Sequence, residues 1–359
     1  MGLFASNMYL RRDFETKYFS MSKKFFFGAL VLVALLSSSI TYLAVSSSTQ
    51  TSKPEKGVKA MKAAERVTCP MEALRLNVKN KYRFVKPLLL ADIACSSPEL
   101  DSIKASVNKY IQEKKKSGQI QQASVYLKTH RSGYWFEING NAMYNPGSLM
   151  KVAIMLTYLR DAEEQPGLLD RVFVLDSKIN EVGLKQIRTS PPLEVGKSYT
   201  VRELITEMIV NSDNDATNLL NKNINRASFA SVMGDLGSRT PDIDDPNFEI
   251  SVMEYNRYLR VLYNGSYLSR DHSEWALGLL SRSNYKGAFV KYLPTELVVA
   301  HKFGERPYQE GFNFHEGGVV YLNENPYTLV VMTKGRNNEL LPNIVADISK
   351  LCFEGVKNL

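Results

Sequence analysis

Three segments of this sequence combine residue types that could do covalent chemistry. The first is Asn145-Pro146-Gly147-Ser148-Leu149-Met150-Lys151, which runs straight into the apolar stretch from Val152 to Leu159. Pro146 and Gly147 predict a turn, so Ser148 falls in the first turn of a buried helix. Lys151, three residues on, lies on the same face within reach of the hydroxyl. Apolar neighbours desolvate a lysine, lower its pKa and suit it to act as the base for a serine nucleophile. The helix N-terminus adds N–H groups and a positive dipole beside that serine.

Ser-x-x-Lys also occurs at Ser20/Lys23, Ser106/Lys109 and Ser283/Lys286, so the spacing alone carries little. Only the copy at Ser148 has a turn before it and an apolar helix after it. The second segment starts 64 residues downstream at Ser212-Asp213-Asn214, between a helix opening at Tyr199-Thr200 and another continuing to Leu220. Read alone, Ser212 or Asp213 is an ordinary helix cap; read functionally, the turn presents a hydroxyl and an amide from a rigid position. The third is Val298-Val299-Ala300-His301-Lys302-Phe303-Gly304-Glu305, a strand that carries a lysine and reaches a glycine.

Other chemistries find no support. There is no Gly-x-Ser-x-Gly elbow, phosphate loop or His-Glu-x-x-His. His130, His272, His301 and His315 are scattered at no ligand spacing and read as surface or partly buried side chains. No metal and no cofactor are expected, and no histidine sits beside a nucleophilic segment to make a Ser-His-Asp triad.

The elements that must position these residues alternate from Pro98 onward. A helix is predicted from Ser97-Pro98-Glu99 to about Lys116, then strands at 124–130 and 134–139 about a hairpin turn. A mostly helical centre spans 148 to about 285, with a helix over 249–263. Strands at 297–303, 317–322 and 327–334 come next, and an amphipathic helix closes the chain at 341–353. This order predicts an α+β fold, an antiparallel five-stranded sheet flanked by helices with an all-helical half inserted. A cleft between the halves is the expected place for chemistry.

The chain of 359 residues carries a formal net charge of +8. Residues 1–24 contribute +3 and 46–98 contribute +6, while 99–359 sum to −1. The basic excess therefore lies outside the main domain, which points to a membrane face rather than to nucleic acid. Residues 25–45 are an uncharged apolar run of 21 residues, enough to span a bilayer core of about 30 Å. Arg11, Arg12, Lys17, Lys23 and Lys24 before it predict a cytoplasmic tail at 1–24 and export of residues 46–359. A cleaved signal peptide starting at Met21 is the alternative. Residues 46–97 read as a basic linker and pre-domain segment, and 98–359 as the main domain. Cys69 and Cys95 could pair after export, leaving Cys352 as the odd thiol.

Three elements in the order Ser-x-x-Lys, Ser-Asp-Asn, Lys-x-Gly, each on the expected secondary structure, make the sequence resemble the class A β-lactamases and related penicillin-binding proteins. The resemblance covers roughly residues 98–357. It implies that Ser148 is acylated, that Lys151 is its base and that Ser212 relays a proton to the leaving nitrogen. It further implies that Asn214 binds the substrate amide, that Lys302 supplies positive field and that Gly304 lets substrate approach its strand. The N–H groups of Ser148 and Glu305 would form the oxyanion hole, and Asp213 would hold the turn.

Two departures stand out. Phe303 occupies the place where the family has a Ser or Thr hydroxyl that helps hold a substrate carboxylate, which would leave Arg306 or His315 to compensate. The segment from Leu236 to the following helix also lacks the family's Glu-x-x-Leu-Asn, so the carboxylate that activates the deacylating water is missing. Asp242, Asp244 and Asp245 in that short connection are expected to face solvent. The expected function is a membrane-anchored, extracytoplasmic serine hydrolase of a bacterial cytoplasmic membrane, opening β-lactam amides through a slowly hydrolysed acyl-enzyme. A penicillin-binding D-alanyl-D-alanine peptidase of cell-wall peptides is the alternative. A non-catalytic wall-binding module is a third reading, which five intact polar site residues disfavour.

Overall fold

A computed structural model describes residues 70–76, 87–178, 191–239, 245 and 248–359. The apolar run at 25–45 and the tail and linker up to residue 69 lie outside the described residues. Among the described residues no helix is long and apolar enough to cross a membrane.

The chain opens with strands β1 (Met71–Arg75) and β2 (Leu88–Ile93), then a 3-10 turn at Pro98–Leu100 leading into helix α1 (Asp101–Lys116). Strands β3 (Gln122–Thr129) and β4 (Trp135–Ile138) come next. A 3-10 turn at Gly147–Met150 then feeds helix α2 (Lys151–Glu164). Short strands β5 (Val172–Val174) and β6 (Ser198–Thr200) pair antiparallel. Helices α3 (Val201–Val210), α4 (Asn214–Asn223), α5 (Arg226–Asp235), α6 (Val252–Tyr263) and α7 (Arg270–Ser281) make the helical half. Strands β7 (Val299–Tyr308), β8 (Gly311–Val320) and β9 (Tyr327–Gly335) and helix α8 (Leu341–Lys357) complete the fold.

The main sheet is antiparallel with five strands in the order β4-β3-β9-β8-β7. Side-chain alternation divides it into two faces. Tyr126, Ala300, Val319, Val330 and Met332 pack against the helical half, whereas Val125, Leu127, Phe314 and Val331 pack under α1 and α8. Helix α2 is buried from Lys151 through Leu159, because it is enclosed by other helices instead of lying on a surface. Local signals set the helix starts. Thr200 with Glu203 and Ser251 with Glu254 form complete capping boxes at α3 and α6.

The structure departs from the sequence reading in three places. Strand β8 begins at Gly311, well before 317, because β7 continues to Tyr308 and the two close into one long hairpin. Helix α6 starts at Val252 behind its Ser251 cap, not at residue 249. Part of the expected pre-domain segment ahead of residue 98 is an ordered hairpin, β1–β2, seated on the body of the domain.

That hairpin is held by a partly buried ion cluster. Both oxygens of Asp92 accept from Arg260, at 2.7 and 2.9 Å, and Oδ1 also pairs with Lys128 at 2.8 Å. The Trp135 indole donates to the Ile93 carbonyl at 2.8 Å, and Leu89 and Leu90 join the core. Cys95 is disulfide-bonded and Cys352 is free and buried; Cys69 lies outside the described residues. Burial would raise the Asp92 pKa, but hydrogen bonds and charge from Arg260 and Lys128 hold it below the usual carboxylate value.

Replacing Asp92 by Asn would leave Arg260, only 4% exposed, beside Lys128 with no counter-charge. Breaking a buried pair from one side costs about 3–5 kcal/mol, and denaturant titration at pH 7 is expected to show that loss. Because the folded pKa is depressed, the wild-type advantage is full above the unfolded carboxylate value and is lost as pH falls through the folded one. An Asn variant with wild-type stability at pH 7 would show that the cluster does not hold the hairpin.

Candidate active site

Ser148 lies in the 3-10 turn one step before α2, and Lys151 is the first residue of that helix. The serine is half-buried at the sheet edge. Its turn docks onto β7 by a close approach that two glycines permit. Gly147 has φ +50°, and a Cβ there would stand 2.4 Å from the Glu305 carbonyl oxygen. A Cβ on Gly304 would stand 2.4 Å from the Pro146 carbonyl oxygen. Gly304 therefore faces the Ser148 turn, whereas the resemblance has it letting substrate approach its strand. Strand β7 is the edge of the sheet, so at alternate residues both the N–H and the C=O turn away from β8. The Glu305 carbonyl oxygen faces Gly147, so Glu305 is one of these residues and its N–H lies on the side of the Ser148 turn.

The turn is fixed from behind as well. Tyr144 exchanges two backbone hydrogen bonds with Ile250, at 3.0 and 2.9 Å. His315, fully buried on β8, receives the Thr333 backbone N–H on Nδ1 at 3.1 Å. A backbone amide can only donate, so the ring proton sits on Nε2, which donates to the Asn145 carbonyl at 3.0 Å. Burial pushes the His315 pKa down to about 4. This histidine therefore stays neutral and supports the turn, and it is not free to bind a carboxylate.

Lys151 is 3% exposed, and its ammonium donates to the Ser212 carbonyl at 2.7 Å, the Ser212 hydroxyl at 3.2 Å and Asn214 Oδ1 at 2.5 Å. Lys302 reaches the same hydroxyl from the sheet, with Nζ 2.9 Å from Ser212 Oγ and 3.0 Å from the Phe303 carbonyl. Burial first, and the Lys151 charge second, push the Lys302 pKa well below the ordinary ammonium value. Ser212 thus sits between two buried lysines. It does so at φ +53°, a left-handed conformation costing a non-glycine residue about 1–2 kcal/mol. Its neighbours impose that geometry. Asp213 caps α4 by accepting the Ala216 N–H at 2.7 Å, which is the structural role expected of it. The Asp213 N–H donates to the Glu207 carbonyl, and Asn284 donates to Asn211 Oδ1 at 2.5 Å.

Several neighbours of the site left no mark in the sequence. Tyr285 stacks on Phe303 with ring centroids 4.3 Å apart. His301 and Glu316 form a fully buried pair at 2.5 Å, although His301 reads from the sequence as a surface or partly buried residue. Nothing local reveals such pairs, because loop position and strand register bring them together. Among the described residues no group of His, Cys, Asp and Glu could hold a metal ion. Of the connection after α5, Asp242 and Asp244 lie outside the described residues. Its start is pinned, with Arg257 donating to the Gly237 carbonyl at 2.9 Å and Tyr258 to Ser238 at 2.8 Å.

Solved structures share this fold. A β-lactamase from Chitinophaga pinensis has a TM-score of 0.61 at 18% identity, over 70% of this chain and 98% of that one. PBP-A gives 0.61 at 18% identity, covering 72% and 97%. The TLA-1 extended-spectrum β-lactamase gives 0.63 at 18% identity, covering 72% and 99%. No curated protein matches the chain. The family model described as the β-lactamase enzyme family matches residues 102–356, a span that holds the Ser148 turn, both lysines and the strained serine between them. The chain is a β-lactamase-like serine hydrolase and belongs to the β-lactamase enzyme family.

Proposed function

We propose that this hydrolase is exported and opens β-lactam amides by acylating Ser148, with an acyl-enzyme that water removes slowly. The observation that carries the reading is the chain of contacts Lys151–Ser212–Lys302 beside the Ser148 turn. Two ammonium groups sharing one hydroxyl in a buried site repel each other, so the pair gives up a proton more readily than a lone lysine. The free amine of Lys151 takes the Ser148 proton as Oγ attacks the carbonyl carbon. The Ser212 hydroxyl passes a proton to the nitrogen as the C–N bond breaks. N–H groups of Ser148 and Glu305 receive the developing oxyanion, and the Asn214 side chain lies beside Lys151 to meet the substrate amide. A dead module would have no reason to retain two buried cations and a strained serine.

Slow turnover is supported by the sequence between Leu236 and Ser251, which contains no Glu-x-x-Leu-Asn. Losing a general base costs roughly 10²–10⁴ in rate. A variant of PBP-A is described as an acyl-enzyme complex with penicillin G, which is the species proposed here on Ser148. The missing glutamate also favours the second reading, a D-alanyl-D-alanine peptidase, because both amides are opened by the same serine. Intact-mass analysis after mixing with penicillin G should show one penicilloyl group persisting for minutes, and none on Ser148→Ala. Rapid turnover with no adduct would show that another residue activates the water. Cleavage of a D-alanyl-D-alanine peptide faster than the β-lactam would favour the peptidase.

Lys151→Ala should slow acylation on the order of 10²-fold or more. Lys151→Arg should recover little, since a guanidinium keeps its proton. An arginine variant acylating at the wild-type rate would remove Lys151 as the base.

Export is supported by residues 25–45 and the five basic residues before them. We place that segment as a signal-anchor in the cytoplasmic membrane. A reporter active only outside the cytoplasm, fused after Leu359, should be active; an inactive, folded fusion would sink the topology.

A further inference from the structure

In a penicillin the carboxylate is carried by the carbon bonded to the lactam nitrogen, so its charge travels with the leaving atom. If Ser212 protonates that nitrogen, as proposed above, the carboxylate must settle against whatever surrounds the Ser212 hydroxyl. The surroundings are poorly suited to an anion. Lys302 is wholly buried, two of its donors go to Ser212 and the Phe303 carbonyl, and its ammonium lies 4.2 Å from the centre of the Phe303 ring. Burial also disfavours its charge. The Lys151 ammonium is spent on three acceptors in the Ser212 turn.

The next side chain along β7 is Phe303, packed on Tyr285 and Phe314, which offers no hydrogen-bond donor. Opposite Phe303 on β8 stands Glu316. It is fully buried and held by His301 at 2.5 Å and the Phe289 N–H at 2.9 Å. Glu305 is the next residue after Gly304, and the fields of both carboxylates reach Lys302. Arg306 is exposed on the same strand, but four residues of strand put its backbone about 13 Å from that of Lys302.

We propose that the subsite beside Ser212 accepts an uncharged group, that the preferred substrates are acyl compounds lacking a carboxylate next to the leaving nitrogen, and that Phe303 sets this preference. The reaction itself is unchanged. Ser148 Oγ bonds to the lactam carbonyl carbon, the C–N bond breaks, the serine proton goes to nitrogen through Lys151 and Ser212, and an ester on the neighbouring carbon is left intact.

The test compares penicillin G with its methyl ester. Acylation of the full chain is followed by intact mass, with each rate divided by that compound's rate with hydroxide. The wild type should acylate with the ester at least as fast as with the acid. Phe303→Thr should move the ratio about tenfold toward the acid, the scale of one added hydrogen bond to a charged group. A wild-type rate tenfold greater for the acid would overturn the proposal. So would a loss confined to the acid in Arg306→Ala, since that residue would then be the carboxylate receptor. A folded Phe303→Thr with an unmoved ratio would remove Phe303 as the determinant. The wild-type ratio decides the substrate class even if that variant does not fold. Labelling by neither compound would refute the acyl-enzyme reading, and this inference with it, and is distinct from a ratio favouring the acid.

Discussion

Two lysine ammonium groups are buried within hydrogen-bond distance of one serine hydroxyl, and the architecture around them answers that demand. Removing a cation from water costs several kcal/mol unless acceptors replace the lost solvent. Here they come from two elements far apart in sequence: the carbonyl and hydroxyl of Ser212 with the Asn214 amide, and the Phe303 carbonyl on the sheet edge. Helix α2 must bring Lys151 to the α3–α4 turn, and β7 must bring Lys302 to its other side. The left-handed backbone at Ser212 is a consequence, because that conformation accompanies a carbonyl and a hydroxyl directed at the same ammonium. Strain held in place by capping, at a residue contacting two titratable groups, is the kind of feature that marks a working site.

The same demand explains the contact between the halves. Lys302 reaches Ser212 while β7 lies against the Ser148 turn, and at that distance no side chain fits between the two backbones. Gly147 and Gly304 each face a carbonyl oxygen of the other segment at 2.4 Å from where a Cβ would be. His315 adds the third attachment through Asn145. Being neutral and buried, it gives a hydrogen bond without placing another positive charge near the lysines. The contacts that seat Ser148 also bring the Glu305 backbone against its turn.

Charge is managed differently on the other side of the domain. Arg260 and Lys128 share Asp92 from the β1–β2 hairpin, so a segment ahead of the main sheet supplies the counter-charge for two cations within it. Glu316 and His301 similarly pair with each other in the layer under β7. Asp92, Arg260 and Lys128 compensate one another at close range, whereas the ring of Phe303 lies beside Lys302.

The sequence by itself determined the local parts. Pro146-Gly147 ahead of an apolar run marks the Ser148 turn, Ser251 with Glu254 marks a helix start, and the alternation of elements marks a five-stranded antiparallel sheet with helices between its strands. These are legible because turn chemistry, capping and side-chain periodicity act within a few residues. Only the tertiary structure decided that Gly304 faces Pro146, that His315 turns inward to Asn145 and that Phe303 stacks on Tyr285. It also decided that Asp92 meets Arg260 across 168 positions of chain. Such contacts depend on strand register and on the packing of separate elements, where a shift of one residue exchanges the buried face for the exposed one. No local pattern encodes that choice.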